Sequence, residues 1–264
     1  MASLIEPGRG LLLLINIVMG VLVYYVMKQV DTTKVYLRKI AGLEAIDEVA
    51  GRCAEMGKPV HTTLGSRAQV VSEHVSAFIS GLSIVNYLAQ LTARYDGRIM
   101  ATVMRAEGMP LIEDTIRSAY AAEGKLDQLD IRQSVIYCGE EKNAFYATAS
   151  GLIVREEAAG NIMVGPFGAS ESTYILTAAA NVGAIQVGGS NRLNVMPMHA
   201  AIADYLIIGE ELYAAGAYLS KDPDSIASLV ATDWVKYFLL GYILLGTVLM
   251  NVGIPVMKNL LGGA

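Results

Sequence analysis

The sequence predicts an α/β fold: a doubly wound, mostly parallel Rossmann-like sheet between an N-terminal and a C-terminal transmembrane helix. Two observations predict it. Uncharged apolar segments lie near both ends, at 11–27 and 237–257. Between them, short continuous apolar runs alternate with longer helical stretches. That alternation is the pattern of a parallel sheet covered on both faces. Composition agrees: 53% of the 264 residues are hydrophobic and only 17% charged, against about 25% charge in soluble domains. The net charge of −5 lacks the basic footprint of a nucleic-acid binder.

Residues 1–10 are a short extracytoplasmic terminus. Leu11–Met27 (LLLLINIVMGVLVYYVM) carries no charge and reaches the short end of the spanning range. Tyr24 and Tyr25 sit where aromatic rings favour the membrane interface. A cleaved signal peptide fits less well. Its basic region would be Arg9 alone, set off by Glu6, and no small-residue cleavage site follows. Residues 28–58 read as a helical neck that ends in the turn Gly57-Lys58-Pro59.

Residues 59–220 form the α/β domain. Strands are expected at Val60–Leu64, Ile99–Met104, Ser134–Cys138, Ile162–Gly165, Ile185–Val187 and Tyr205–Ile208. Helices are expected over 66–92, 109–124, 141–158, 169–183, 193–203 and 209–219. About six βα units with right-handed crossovers give a doubly wound sheet.

Residues 221–236 form a juxtamembrane segment. Tyr237–Met257 is uncharged between Lys236 and Lys258 and is long enough to cross. Residues 258–264 are a tail. Asn16, Gly20, Gly241, Gly246, Thr247 and Asn251 suit a helix–helix contact in lipid. Neither segment holds an ionisable residue, which argues against a transport path. Lys28, Lys34, Arg38, Lys39, Lys221 and Lys236 outnumber Arg9 and Lys258 on the far side. This bias places residues 28–236 in the cytoplasm and the chain in the plasma membrane.

Ligands of an open α/β sheet bind beyond the carboxyl ends of its strands. The residues expected there are Thr62, Thr63, Gly65, Ser66 and Arg67; Arg105 and Glu107; and Gly139 and Glu140. Further along come Gly165, Gly168, Ser170 and Glu171; Gly188, Gly189, Ser190 and Asn191; and Gly209, Glu210 and Glu211. The ligand-binding candidates taken from this set are Gly165, Gly168, Ser170, Glu171, Gly188, Gly189, Ser190 and Glu210. Glycines and small polar residues at a helix start expose N–H groups that suit a phosphate or carboxylate. Ordinary tight turns, capped by Ser170 or Ser190, account for the same residues. The helix dipole alone accounts for Glu210 and Glu211.

His61, His74 and His199 lack metal-ligand spacing, so no metal site is expected. Cys53 and Cys138 form no CxxC and read as reduced thiols. No catalytic constellation or GxGxxG fingerprint is present, and no cofactor follows from the residues.

Several separated motifs occur in order. They are Tyr36-Leu-Arg-Lys-Ile-Ala-Gly-Leu-Glu-Ala-Ile-Asp-Glu, Glu55-Met-Gly-Lys-Pro, Gly81-Leu-Ser-Ile and Ala93-Arg-Tyr-Asp. After them come Gly183-Ala-Ile-Gln, Ile208-Gly-Glu-Glu-Leu-Tyr-Ala-Ala-Gly-Ala-Tyr-Leu-Ser and Asp233-Trp-Val-Lys. Together, over roughly residues 10–245, they resemble a family of uncharacterised bacterial and archaeal membrane proteins catalogued as a domain of unknown function. The resemblance implies the anchored α/β architecture and transfers no site residue.

The leading expectation is a membrane-anchored structural or assembly subunit. Its partners would be the lipid bilayer and either copies of itself or another membrane-complex subunit. The alternative is a binding module or enzyme for an anionic small molecule: a nucleotide, sugar phosphate or lipid head group.

Overall fold

Strands β1 (Val60–Thr63), β2 (Ile99–Val103), β3 (Val135–Tyr137), β4 (Gly160–Val164), β5 (Ile185–Ser190) and β6 (Tyr205–Ile208) form one sheet. Their order is β3-β2-β1-β4-β5-β6, and every neighbouring pair is parallel. This is the doubly wound order, with its switch point between β1 and β4. The structure is a computed structural model that describes residues 10–32, 35, 40–71 and 73–251. These residues fall into two units: the α/β unit up to Ser220, and a second unit that holds the two terminal helices.

Helices cover both faces of the sheet. On one face lie α2 (Ala41–Glu55), α3 (Val75–Arg94), α4 (Met109–Ala122) and α9 (Glu211–Ser220). On the other lie α6 (Lys142–Arg155), α7 (Ala169–Asn181) and α8 (Met196–Ile202). A one-turn α5 (Ile131–Ser134) leads into β3. Strands β1, β2 and β4 are buried along their whole length, as a parallel sheet covered on both faces requires.

Residues 41–55 of the segment read as a neck form α2, which lies down on the sheet. Leu43, Ile46, Val49, Ala50 and Cys53 recur at helical spacing and are buried. Gly42 and Gly160 let the two elements close up: a Cβ at Gly42 would stand 2.6 Å from Leu206 O, and one at Gly160 2.4 Å from Val49 Cγ1.

Two of the departures from the expected bounds shape the strand ends. Helix α3 starts at Val75 rather than 66, because residues 64–71 are used as a loop over the strand ends. Strand β5 continues to Ser190 instead of stopping at Val187. Gly188 pairs with Met163 and Leu206, and Gly189 with Val164 and Ile207. Glycine here admits close neighbours inside the sheet. A Cβ at Gly188 would lie 2.6 Å from His199 Nδ1, and one at Gly189 3.0 Å from Ile207 Cβ.

A row of polar side chains crosses the buried centre of the sheet. His61, Asn161 and Gln186 are in register on β1, β4 and β5. Gln186 Nε2 donates to Leu176 O on α7 at 3.1 Å, and Asn161 Nδ2 donates to Gln186 Oε1 at 2.9 Å. That leaves Asn161 Oδ1 to accept from His61 Nδ1–H at 2.8 Å. Thr102 then donates its hydroxyl to His61 Nε2 at 2.9 Å. Four side chains thus satisfy one another in one direction, as buried polar groups require. Burial holds the His61 imidazole neutral, lowering its pKa from 6.5 to about 4, partly offset by the Asn161 bond.

In the second unit, α1 (Gly10–Gln29) and α10 (Pro223–Asn251) pack against each other. The juxtamembrane segment is not separate: α10 runs unbroken from Pro223 to Asn251. Pro223–Leu249 has the length and hydropathy to cross a membrane, and Leu13–Gln29 is a shorter apolar helix. Helix α3 passes the same length test, but half of it is buried against the α/β core. Thr247 and Asn251, read as contacts between helices, donate to Ile243 O and Thr247 O of their own helix. Arg9, Lys34, Arg38, Lys39, Lys258 and residues 252–257 of the second apolar segment lie outside the described residues.

Candidate functional site

The loops after β1 and β4 meet at the switch point, where a doubly wound sheet offers its crevice. Here they fill it. Gly65, at φ +85°, faces the ring of Phe167, and a Cβ there would stand 2.6 Å from Cδ1. Gly165, at φ +145°, brings β4 so close to β1 that a Cβ would lie 2.3 Å from Leu64 O. Phe167 is fully buried. Arg67 N–H donates to Pro166 O at 3.2 Å, and Arg192 Nη1 donates to Phe167 O at 2.9 Å.

The N–H groups expected to hold an anion at the start of α7 already hold one. Glu171 is buried, and its Oε1 accepts from Gly168 N–H at 2.5 Å and from Ser66 N–H at 3.2 Å. A carboxylate at a helix N-terminus gains from both the N–H groups and the dipole. Gly165, Gly168 and Glu171 are therefore brought together, around an internal carboxylate. Ser170 is exposed on the first turn of α7. Gly188, Gly189 and Ser190 lie within β5, and Ser190 Oγ accepts from Arg192 N–H at 3.2 Å. Glu210 is exposed beyond β6, at the sheet's edge.

His199 and Ser172 sit behind this plug and are both fully buried, with His199 Nε2 3.1 Å from Ser172 Oγ. The hydroxyl donates to Gly168 O at 3.1 Å, so it accepts from the imidazole N–H. Burial lowers the His199 pKa to about 4. The other ring nitrogen, Nδ1, is buried without a hydrogen-bond partner.

An open cavity lies instead over the ends of β1, β2 and β3. It measures about 370 Å³ and is lined by Ser66, Arg67, Gln69, Glu73, His74, Arg105 and Lys142. Three strand ends each supply a cation. Arg67 follows β1, Arg105 follows β2, and Lys142 opens α6 after β3. Arg105 is held in place. Its Nε donates to Ser66 O at 3.3 Å, its Nη1 lies 3.8 Å from Glu140 Oε2, and the Gln69 amide oxygen accepts from Nε at 3.2 Å. Neither Arg67 nor Lys142 is in an ion pair among the described residues. Arg67 Nε and Ser66 Oγ are both buried without a hydrogen-bond partner. A buried donor left unpaired costs about 1–3 kcal/mol, and both of these atoms belong to residues that line the cavity.

Ser66, Arg67 and Arg105 were legible as strand-end residues. Gln69, Glu73 and His74 were hidden inside a helix expected over 66–92, and Lys142 read as an ordinary helix start. Among the described residues no group of three or more His, Cys, Asp or Glu could hold a metal ion.

The family described as "Domain of unknown function (DUF6754)" matches residues 2–261 of the chain. No curated protein matches it, and no solved structure does.

Proposed function

The chain belongs to the DUF6754 family, and on the geometry of its α/β unit we propose that it is a membrane-anchored binding module for an anionic small molecule. The observation that carries this reading is the cavity in which Arg67, Arg105 and Lys142 converge. Guanidinium forks match the oxygens of phosphate or carboxylate, and an ammonium adds a point charge. The cations gather locally in a chain whose net charge is −5.

The anchor in this reading is α1 with α10. Lys28, Lys221 and Lys236 support a plasma-membrane protein whose α/β unit faces the cytoplasm. Reactivity of cysteines introduced in place of exposed Ser170 and Ser228, probed in intact and opened cells, tests that orientation. Labelling only after opening is expected, and labelling of intact cells would reverse it.

Binding is tested with inorganic phosphate on the full chain in lipid nanodiscs, at two salt concentrations. Saturable binding that weakens with salt and falls about tenfold in Lys142→Ala is expected, since a charged contact contributes about 1.5 kcal/mol or more. No saturable binding by the wild type would remove the reading.

The assembly reading has one observation in its favour. Gly20 on α1 and Gly241 on α10 each have nothing within 4 Å of an added Cβ, so packing of these two helices leaves one bare glycine on each, a residue type that lets helices approach closely in lipid. Native mass after mild extraction tests it. A fixed copy number above one, lost in Gly241→Leu, supports assembly, and a monomer in both excludes it.

A further inference from the structure

The cavity at the strand ends differs from a bare anion hole in two respects, its size and its rim. Its volume of about 370 Å³ lies near the low end for small-molecule sites, which run from about 300 to 1,000 Å³. It has room for a phosphate with a few further atoms and too little for a dinucleotide. The switch-point route by which a dinucleotide would lie across the sheet is closed by Phe167 and Glu171.

The rim carries a carboxylate. Glu73, its side chain 83% exposed, lines the same cavity as the three cations, and its Oε1 lies 3.4 Å from His74 Nε2. Beside a dianion alone, a carboxylate only weakens binding by repulsion. Beside a ligand that also carries hydroxyls it is an acceptor for them. A hydroxyl donor is the neutral partner that an ionised carboxylate, with acceptor oxygens only, can use.

We infer that this cavity takes a small phosphorylated polyol, of the glycerol phosphate or sugar phosphate class. The phosphate sits among Arg67, Arg105 and Lys142, and the hydroxyls face Glu73. This rests on the proposed binding function and adds to it a ligand class and a residue that reads the ligand's neutral part. A free metabolite and a lipid head group share this chemistry.

The test uses the full chain in phosphatidylcholine nanodiscs, with inorganic phosphate, glycerol 3-phosphate and glycerol as probes. Glycerol 3-phosphate is expected to bind about tenfold more tightly than phosphate, as one charge-assisted hydrogen bond allows, and glycerol alone not to bind measurably. Glu73 is exposed, so Glu73→Ala leaves folding intact. It should erase the tenfold preference while phosphate binds as well as before or better. Lys142→Ala should weaken both phosphate probes alike. Equal affinity for the two probes in wild type, with phosphate binding retained, overturns the polyol inference and leaves the anion site standing. Failure of every probe overturns both. Nanodiscs doped with a phosphoinositide separate the sources. Competition with soluble glycerol 3-phosphate assigns the site to a head group, and undiminished binding assigns it to a free metabolite.

Discussion

Glu171 accepts the backbone N–H of Ser66 at 3.2 Å, joining the α7 N-terminus to the loop after β1 across 105 positions of chain. The same oxygen takes the Gly168 N–H, so one buried carboxylate satisfies donors from both sides of the switch point. Glu171→Ala strands both donors. At about 1–3 kcal/mol for each unpaired buried group, it is expected to lower the unfolding free energy by about 2–4 kcal/mol. Glu171→Gln keeps an acceptor oxygen and should lose less than half as much. Thermal unfolding of the two variants in detergent checks the order, and equal losses would refute the role of the oxygen.

Stability should fall in mild acid. Burial lowers the pKa of both His61 and His199 from 6.5 to about 4. Above pH 6.5 both rings are neutral whether the chain is folded or not. Below it the unfolded chain binds protons that the folded chain refuses, so stability is lost as pH drops from 6.5 toward 4. The slope is about 1.4 kcal/mol per pH unit for each histidine. Unfolding temperatures measured at pH 7, 6, 5 and 4.5 should decline progressively. A flat profile over that window would contradict the burial of both rings.

Glycine substitutions should separate by place. Gly165→Ala puts a Cβ against Leu64 O and forces φ +145° on an L-residue, so a loss of about 3 kcal/mol or more is expected. Gly151→Ala, in α6 with nothing within 4 Å, should stabilise by about 0.5–1 kcal/mol. Chemical denaturation of the pair measures the contrast, and a neutral Gly165→Ala would mean that the loops at the switch point are not in contact.

The two thiols should be silent toward alkylation. Cys53 and Cys138 are free and buried, and burial pushes their pKa up to about 12 and about 11. Pulsed iodoacetamide labelling should modify neither in the native state and both in denaturant. Rapid native labelling of Cys138 would show that the end of β3 opens.

The sheet was legible because burial on both faces leaves a plain mark. Ile99–Met104 and Ile162–Gly165 stand out as short, mostly apolar runs between helices, the mark of parallel strands covered on both faces. The ends of the elements were less legible. Residues 66–74 carry helix-forming side chains, Arg67, Ala68, Gln69 and Glu73, yet Gly65 at positive φ and the bond from Arg67 N–H to Pro166 O turn them into a loop. Tertiary contact overrode propensity there. Gly188-Gly189 resembles a turn in isolation and is a strand because His199 and Ile207 need the space. The glycine-rich start of α7 was expected to hold a ligand carboxylate or phosphate, and its N–H groups are taken by a side chain of the chain itself. Nothing local tells that Glu171, three residues on, supplies it. The cations of the cavity are dispersed over 75 positions, from Arg67 to Lys142, and only the strand order β3-β2-β1 gathers them.

Apolar strands that are covered on both faces have little to stop one sliding along another, since valine serves as well as isoleucine at any rung. The row Thr102–His61–Asn161–Gln186 removes that freedom. Shifted by one residue, β1 would set Thr62 beside Asn161 and turn the imidazole to the opposite face. His61, Asn161 and Gln186 would then each be stranded without water. Four polar side chains act as the teeth of a key. They contribute little to how tightly the sheet holds and a great deal to which rung meets which, and thereby to whether the loops carrying Ser66, Arg105 and Lys142 end at the same height.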